Sequence, residues 1–222
     1  MAIGYGAKVV TDGLVLCLDA ANPKSYPGSG NTWFDLSKRE ITTTKAGSSA
    51  PTYPQFSSDF NGYFEFIDGT SGDNKNRFDA AVPQMSQVTA MAIWRARNTG
   101  HVFRMSNSDL QIGPDGFTAG DNFNDISVLR GDAVIANNEW EIGALTFDGQ
   151  TLKAYKNGEF LAQNTRSTPT DISAGNLRIG ARNDAFTAHF EGDISTIMIY
   201  DRVLSESEIR QNFQATRGRY GI

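Results

Sequence analysis

Along most of this chain apolar and polar positions alternate with a period of two, and the pattern becomes helical only once, near the end. From Ile194 to Tyr200 both alternating side-chain sets are apolar or β-prone, as in a strand covered on both faces. Val88 to Arg95 reads the same way, with Val88, Ala90, Ala92 and Trp94 on one side and Met91 and Ile93 on the other. Leu14, Leu16 and Leu18 share one face of an earlier strand. In the stretch from Tyr63 to Ile67, Phe64 and Phe66 point inward and Glu65 outward. Shorter strands are predicted over 101–105, 109–112 and 126–130.

Turn chemistry separates these runs. Trp140 to Phe147 and Thr151 to Tyr155 form a hairpin around Asp148-Gly149, and Asn157-Gly158 makes a second tight turn because both residue types tolerate positive φ. Gly113-Pro114-Asp115-Gly116 is a turn by composition, and the Pro- and Gly-bearing stretch 22–31 is loop. The helical signal follows Tyr200. Ser205 opens a capping box closed by Glu208, with Leu204 and Ile209 placed as a hydrophobic staple. Ile209 and Phe213, four apart, face one body, and Glu206 and Glu208 lie at the positive end of the helix dipole. The helix is predicted over about 206–214.

Strands at this spacing predict an all-β, two-sheet antiparallel sandwich closed by one short C-terminal helix. Residues 11–222 read as one domain, with no internal repeat, and the Gly-rich residues 1–10 as an N-terminal arm or a frayed end. Periodicity does not separate a jelly roll from other sandwiches. At 222 residues the chain is long enough to bury a core unaided. The net charge of −5 argues against nucleic acid as a partner, since phosphate neutralisation needs clustered Lys and Arg. Arg210, Arg217 and Arg219 form a small basic end that reads as a solvated tail. The single cysteine, Cys17, sits in an apolar strand and reads as an inert thiol. No disulfide is expected, which suits a reducing cytoplasm, and no stretch reads as a secretion signal or membrane span.

Four segments carry a family resemblance. They are 13–28 with Thr32-Trp33-Phe34-Asp35-Leu36-Ser37, Trp140 through Thr146-Phe147-Asp148-Gly149 to Glu159, Asn176-Leu177-Arg178-Ile179-Gly180, and 190–222. Together they resemble the laminin-G-like, or concanavalin A-like, jelly-roll domains, in the form found in bacteriophage virion proteins. After Ser37 the chain departs from the family's Asn/Gly-rich run and reads Lys38-Arg39-Glu40-Ile41. The resemblance implies a concanavalin A-like jelly roll and a non-enzymatic structural or decoration protein of the phage capsid or tail fibre. It would be assembled in the host bacterial cytoplasm and located in the virion. Implied partners are other virion proteins, further copies of itself as a homo-oligomer, and host-surface polysaccharide bound during host attachment. Aromatics near loop-forming residues (Trp33, Tyr26 and Phe186, the last beside Asn183 and Asp184) are the carbohydrate-binding candidates.

The alternatives are a laminarinase-like glycoside hydrolase and a free calcium-dependent lectin. A hydrolase needs two carboxylates flanking the scissile bond. Glu139 and Glu141, and Glu191 and Asp193, have the right parity but no third acid, and each pair reads as solvated edge charge. His101 and His189 lack a nucleophile elbow and, with one cysteine, do not make a zinc set. Calcium is the candidate cofactor, with Asp68, Asp73 and Asn74 in one loop as ligands; Asp121, Asn122, Asn124 and Asp125 form another cluster. The turn preference of Asp and Asn explains each cluster taken singly.

The capped helix makes a direct prediction. Ser205→Ala should cost roughly 0.5–2 kcal/mol through the lost cap, and Ile209→Ala on the order of 2–5 kcal/mol if the side chain is fully buried. Chemical denaturation in which neither substitution matters would show that the helix is not docked.

Overall fold

The computed structural model describes residues 7–46, 54–67, 77–98, 100–105, 110–120, 125–129, 138–181 and 190–222. Fifteen strands appear among them: Leu14–Asp19 (β1), Thr43–Lys45 (β2), Gln55–Ser57 (β3), Tyr63–Phe66 (β4), Phe78–Val82 (β5), Val88–Ala96 (β6), Phe103–Met105 (β7), Gln111–Gly113 (β8), Gly116–Ala119 (β9), Ile126–Leu129 (β10), Trp140–Phe147 (β11), Thr151–Lys156 (β12), Glu159–Thr165 (β13), Gly175–Ile179 (β14) and Gly192–Tyr200 (β15). One α-helix, Glu206–Thr216 (α1), closes the chain. All the pairings are antiparallel. One sheet runs β13-β12-β11-β6-β15-β4-β3, with β1 beside β15, and the other runs β10-β9-β8-β7-β14-β5-β2. This is the two-sheet antiparallel sandwich expected from the alternation, in the jelly-roll form that the family resemblance implies.

The inner faces of the two sheets meet in one core. Val88, Ala90, Ala92 and Trp94 of β6 enter it with Phe64, Phe66, Phe78, Phe103, Phe117 and Phe147. Gly143 of β11 faces the Trp94 ring, and a Cβ at that position would collide with it. The absent side chain leaves room for the Trp94 ring against the neighbouring strand.

A second apolar cluster lies on the outer face of the eight-stranded sheet. Met91 and Ile93, the other face of β6, join Ile142, Tyr155, Met198 and Tyr200 there, and Leu204 and Ile209 of the helix segment cover them. All nine residues of β15 are buried. The capping box is present: Glu208 N donates to Ser205 Oγ at 3.3 Å and Ser205 N to Glu208 Oε2 at 2.8 Å. Asn212, fully buried in α1, donates from Nδ2 to the Tyr200 hydroxyl at 3.0 Å and accepts from Val10 N at 2.8 Å. Gln211 donates to the Lys8 carbonyl at 2.7 Å. Lys8 to Val10, read from the sequence as part of an arm, are therefore tied to the chain's own helix.

The C-terminal tail is also fixed, against expectation. Arg219 pairs with both Asp19 carboxylate oxygens, at 2.7 and 3.0 Å, and so joins the tail to β1 instead of lying in solvent. Cys17, half-buried beside it, has its thiol pushed up to about 12 by burial and then by Asp19 and Asp35, in keeping with an inert group.

Glu208 also receives Arg202, at 2.6 and 3.1 Å. The Arg202 guanidinium first, then the Ser205 amide, hold its carboxyl down at about 2 from an ordinary 4.5. A depressed carboxylate adds stability that is complete above its unfolded value and is lost as pH falls through the folded one. The urea midpoint should therefore decline between pH 4.5 and 2, and Glu208→Gln should flatten that part of the profile. An unchanged slope in the variant would count against the Arg202 pairing.

Candidate functional site

The two sheets differ in what covers their outer faces. The eight-stranded sheet carries the helix and residues 8–10 of the N-terminal segment. Over the seven-stranded sheet no element among the described residues is packed. Its inward positions, such as Ala80, Leu177, Ile179, Phe103, Ile112, Phe117 and Val128, belong to the core. The alternate positions face outward, and register places one from each strand in a single lateral row: Thr44, Asp79, Arg178, Arg104, Gln111, Thr118 and Ser127. At roughly 4.8 Å between strands the row extends about 29 Å.

Every member of this row is polar. Arg77 Nε donates to both oxygens of Asp79, at 2.9 and 3.2 Å, and the Thr118 and Ser127 hydroxyls lie 3.1 Å apart. The central residues Arg178, Arg104 and Gln111 bring guanidinium and amide groups side by side. Thr44 is exposed, Asp79, Arg178, Arg104, Gln111 and Ser127 are half-buried, and Thr118 is buried. The exposed atoms of the row offer donors and acceptors, which suits a ligand whose own surface is hydroxyl groups. The residues were hidden in the sequence because they belong to strands of three to five residues, where alternation is too brief to detect.

The sequence candidates fall differently. Trp33 is fully buried, 4.7 Å from Phe64 and 5.5 Å from Phe78 between ring centroids, so its faces are committed to the core and it is corrected to a packing residue. Tyr26 is likewise buried, against Phe56 and Phe64. Asn183, Asp184 and Phe186 lie outside the described residues, as do the calcium candidates Asp68, Asp73 and Asn74 and most of the 121–125 cluster. Among the described residues no group of three or more Asp, Glu, His or Cys side chains could hold a metal ion.

Two acids read as solvated edge charge are in fact buried. Glu141 is 7% exposed, with Lys156 Nζ 3.6 Å away. Asp193 is 1% exposed and lies under two guanidiniums. Arg95 reaches its Oδ2 at 2.7 Å through Nε and 2.6 Å through the terminal nitrogen, and Arg97 reaches Oδ1 at 3.2 Å. Arg97 also donates to Glu65 at 3.1 Å. Both Asp193 oxygens are thus occupied by cations and are not open to a glycosidic oxygen. Arg95 lies at the end of one long apolar strand and Asp193 at the start of another, and only the antiparallel register of β6 and β15 brings the opposite charges together.

A laminin-G-type family model, described as the concanavalin A-like lectin/glucanases superfamily, matches residues 81–210. The chain belongs to this superfamily. The match covers the strands from β6 to the capped helix, which hold both central buried strands. Among solved structures, the fold is similar to the binding domain of botulinum neurotoxin serotype G, with a TM-score of 0.65 and 14% identity over 90% of this chain and 50% of that one. It is also similar to the binding domain of Paraclostridial Mosquitocidal Protein 1, with a TM-score of 0.65 and 16% identity over 90% and 52%. A third similar structure is domain 4 of AbnA, an extracellular arabinanase from Geobacillus stearothermophilus in complex with arabinotriose. There the TM-score is 0.67 and the identity 14%, over 92% of this chain and 100% of that domain. The chain thus spans about half the length of the toxin binding domains and the whole of the arabinanase domain. No curated protein matches the sequence significantly. At these identities the likeness is one of fold.

The ion network makes its own prediction. Asp193→Ala would leave Arg95 and Arg97 without their shared anion. The loss should approach, and stay below, the roughly 3–5 kcal/mol of a fully buried broken pair, because both arginines reach water. A denaturation curve shifted by less than about 0.5 kcal/mol, the range of ordinary surface substitutions, would show that the network does not hold the strands together.

Proposed function

We propose that this chain is a non-enzymatic carbohydrate-binding domain acting as a surface component of a bacteriophage virion. The observation that carries the binding reading is the polar row across seven strands, over which no element among the described residues packs, in a fold whose other outer face carries its own helix. Family membership supports it. The arabinanase domain is in complex with arabinotriose, a toxin binding domain of similar fold is in complex with SialylT, and the entry of another toxin depends on two ganglioside molecules. Ligation of Asp193 by Arg95 and Arg97 favours a binding role over a hydrolytic one, since two free carboxylates are what glycoside cleavage needs.

The virion reading is supported by the segments at 13–37 and 190–222, which resemble phage structural proteins. In that setting the sandwich is one subunit among other virion proteins, and its polar face is turned to host-surface polysaccharide. Calcium enters as a candidate cofactor through Asp68, Asp73 and Asn74.

Glycan-array binding with and without EDTA, followed by incubation of the bound polysaccharide, tests the reading. Retention of glycan without release of reducing ends is expected, and loss of binding with EDTA would add the calcium. Gln111→Ala combined with Arg178→Ala should weaken retention at least about tenfold, or 1.4 kcal/mol. Released reducing ends would make the domain a hydrolase. Absence of the chain from purified particles would end the virion assignment.

A further inference from the structure

The eight-stranded sheet has an outer end that the helix does not reach, and an unusual turn stands over it. Residues 58–62 hold Phe60 at φ 50° and Asn61 at φ 68°, two successive left-handed residues. An aromatic side chain in that conformation carries strain of order 1 kcal/mol or more. Burial of the ring does not account for it, since Phe60 is 45% exposed.

What lies beneath is an ordered floor. Arg95 sits 5.5 Å from the Phe60 centroid, 5.7 Å from Tyr63 and 5.3 Å from Trp140. Trp140 packs edge-on against Phe60 at 5.7 Å and tilted against Tyr220 at 4.8 Å. It is 94% buried, and its indole Nε1 donor has no acceptor among the described residues. A buried donor without a partner is uncommon and calls for an explanation. Register then carries the surface sideways, from Trp140 to Arg95, Asp193 and Glu65 on four adjacent strands, about 14 Å at roughly 4.8 Å per step. Glu65 and Glu191 stand at the far side around Arg97, their side chains 39% and 38% exposed.

We propose that Phe60 is the stacking platform of a second saccharide site, on the sheet opposite the polar row, for a neutral sugar ring. The inference rests on the carbohydrate-binding reading above. The exposed ring matches the apolar C–H face of a pyranose, and Glu65, Glu191 and Arg97, about two strands further along, offer acceptors and donors to the hydroxyls of the next unit in a neutral oligosaccharide. Three carboxylates stand against two guanidiniums, so the site holds no surplus positive charge for an acidic sugar. One ring within a charged border also offers too little apolar area for a protein interface, which needs on the order of 1,000 Å².

The test is an array of neutral oligosaccharides, with uronic-acid glycans on the same surface, probed with the full chain, Phe60→Asn, Phe60→Tyr and the Gln111→Ala/Arg178→Ala pair. Asn tolerates left-handed backbone, so Phe60→Asn removes the ring while the turn keeps its conformation. Expected are a loss of about tenfold or more for neutral glycans in Phe60→Asn with the melting temperature held within about 3 °C, and retained binding in Phe60→Tyr. Neutral-glycan binding unchanged in Phe60→Asn but lost in the paired variant would overturn this site and leave the carbohydrate reading intact. A lowered melting temperature with unchanged binding would make Phe60 structural. A preference for uronic-acid glycans that Phe60→Asn removes would overturn the neutral-sugar assignment. No retention of any glycan by the full chain would overturn both readings.

Discussion

The structure depends on the burial of β6 and β15 on both of their faces. A sandwich of two sheets gives each strand one buried face. These two strands are apolar on both, so the eight-stranded sheet needs a third layer, and α1 with residues 8–10 supplies it. Nearly every group in that layer is fastened to something specific. Ser205 and Glu208 cap the helix, Asn212 joins it to Tyr200 and Val10, and Arg219 joins the tail to Asp19. Remove the layer and Met91, Ile93, Met198 and Tyr200 would face water, a large contiguous apolar patch of the kind monomers do not expose.

That requirement decides where a ligand can go. One outer face is spent on holding the chain's own helix. The other carries no apolar residues in its central row, no element among the described residues packs on it, and it has a line of polar side chains at strand spacing. The division of labour follows from two strands being apolar on both faces while β5, β7, β8 and β14 are apolar on one.

Much of this was legible in the chain before any coordinates. The two faces of β6, the inward Phe64 and Phe66, the Asn157-Gly158 turn and the Ser205 cap are all local signals, and each is where its pattern put it. What was not legible depended on pairing between distant segments. Trp33 beside turn residues looks exposed until β4 and β5 close over it. Asp193 looks like edge charge until β6 brings Arg95 alongside, and Arg219 looks like a loose tail until β1 offers Asp19. The polar row is invisible in sequence because its seven members come from seven short strands. In each case the missing information was register, which short-range periodicity does not contain.

The third layer also governs the surface that it leaves uncovered. Ser195 of β15, fully buried, donates to the Gly62 carbonyl at 2.6 Å and lies 2.7 Å from the Tyr220 hydroxyl. One hydroxyl thus ties together the central strand, the end of the C-terminal tail and the turn that presents Phe60. Gly62 follows the two left-handed residues and is pressed against the Ala20–Ala21 backbone so closely that a Cβ there would clash. The turn has little freedom to relax, because its exit is clamped on one side by Ser195 and on the other by the chain leaving β1. An arrangement that keeps a half-exposed aromatic ring in a strained backbone is maintained by the same contacts that dock the tail, so the docking of the last residues and the presentation of that ring are one structural event.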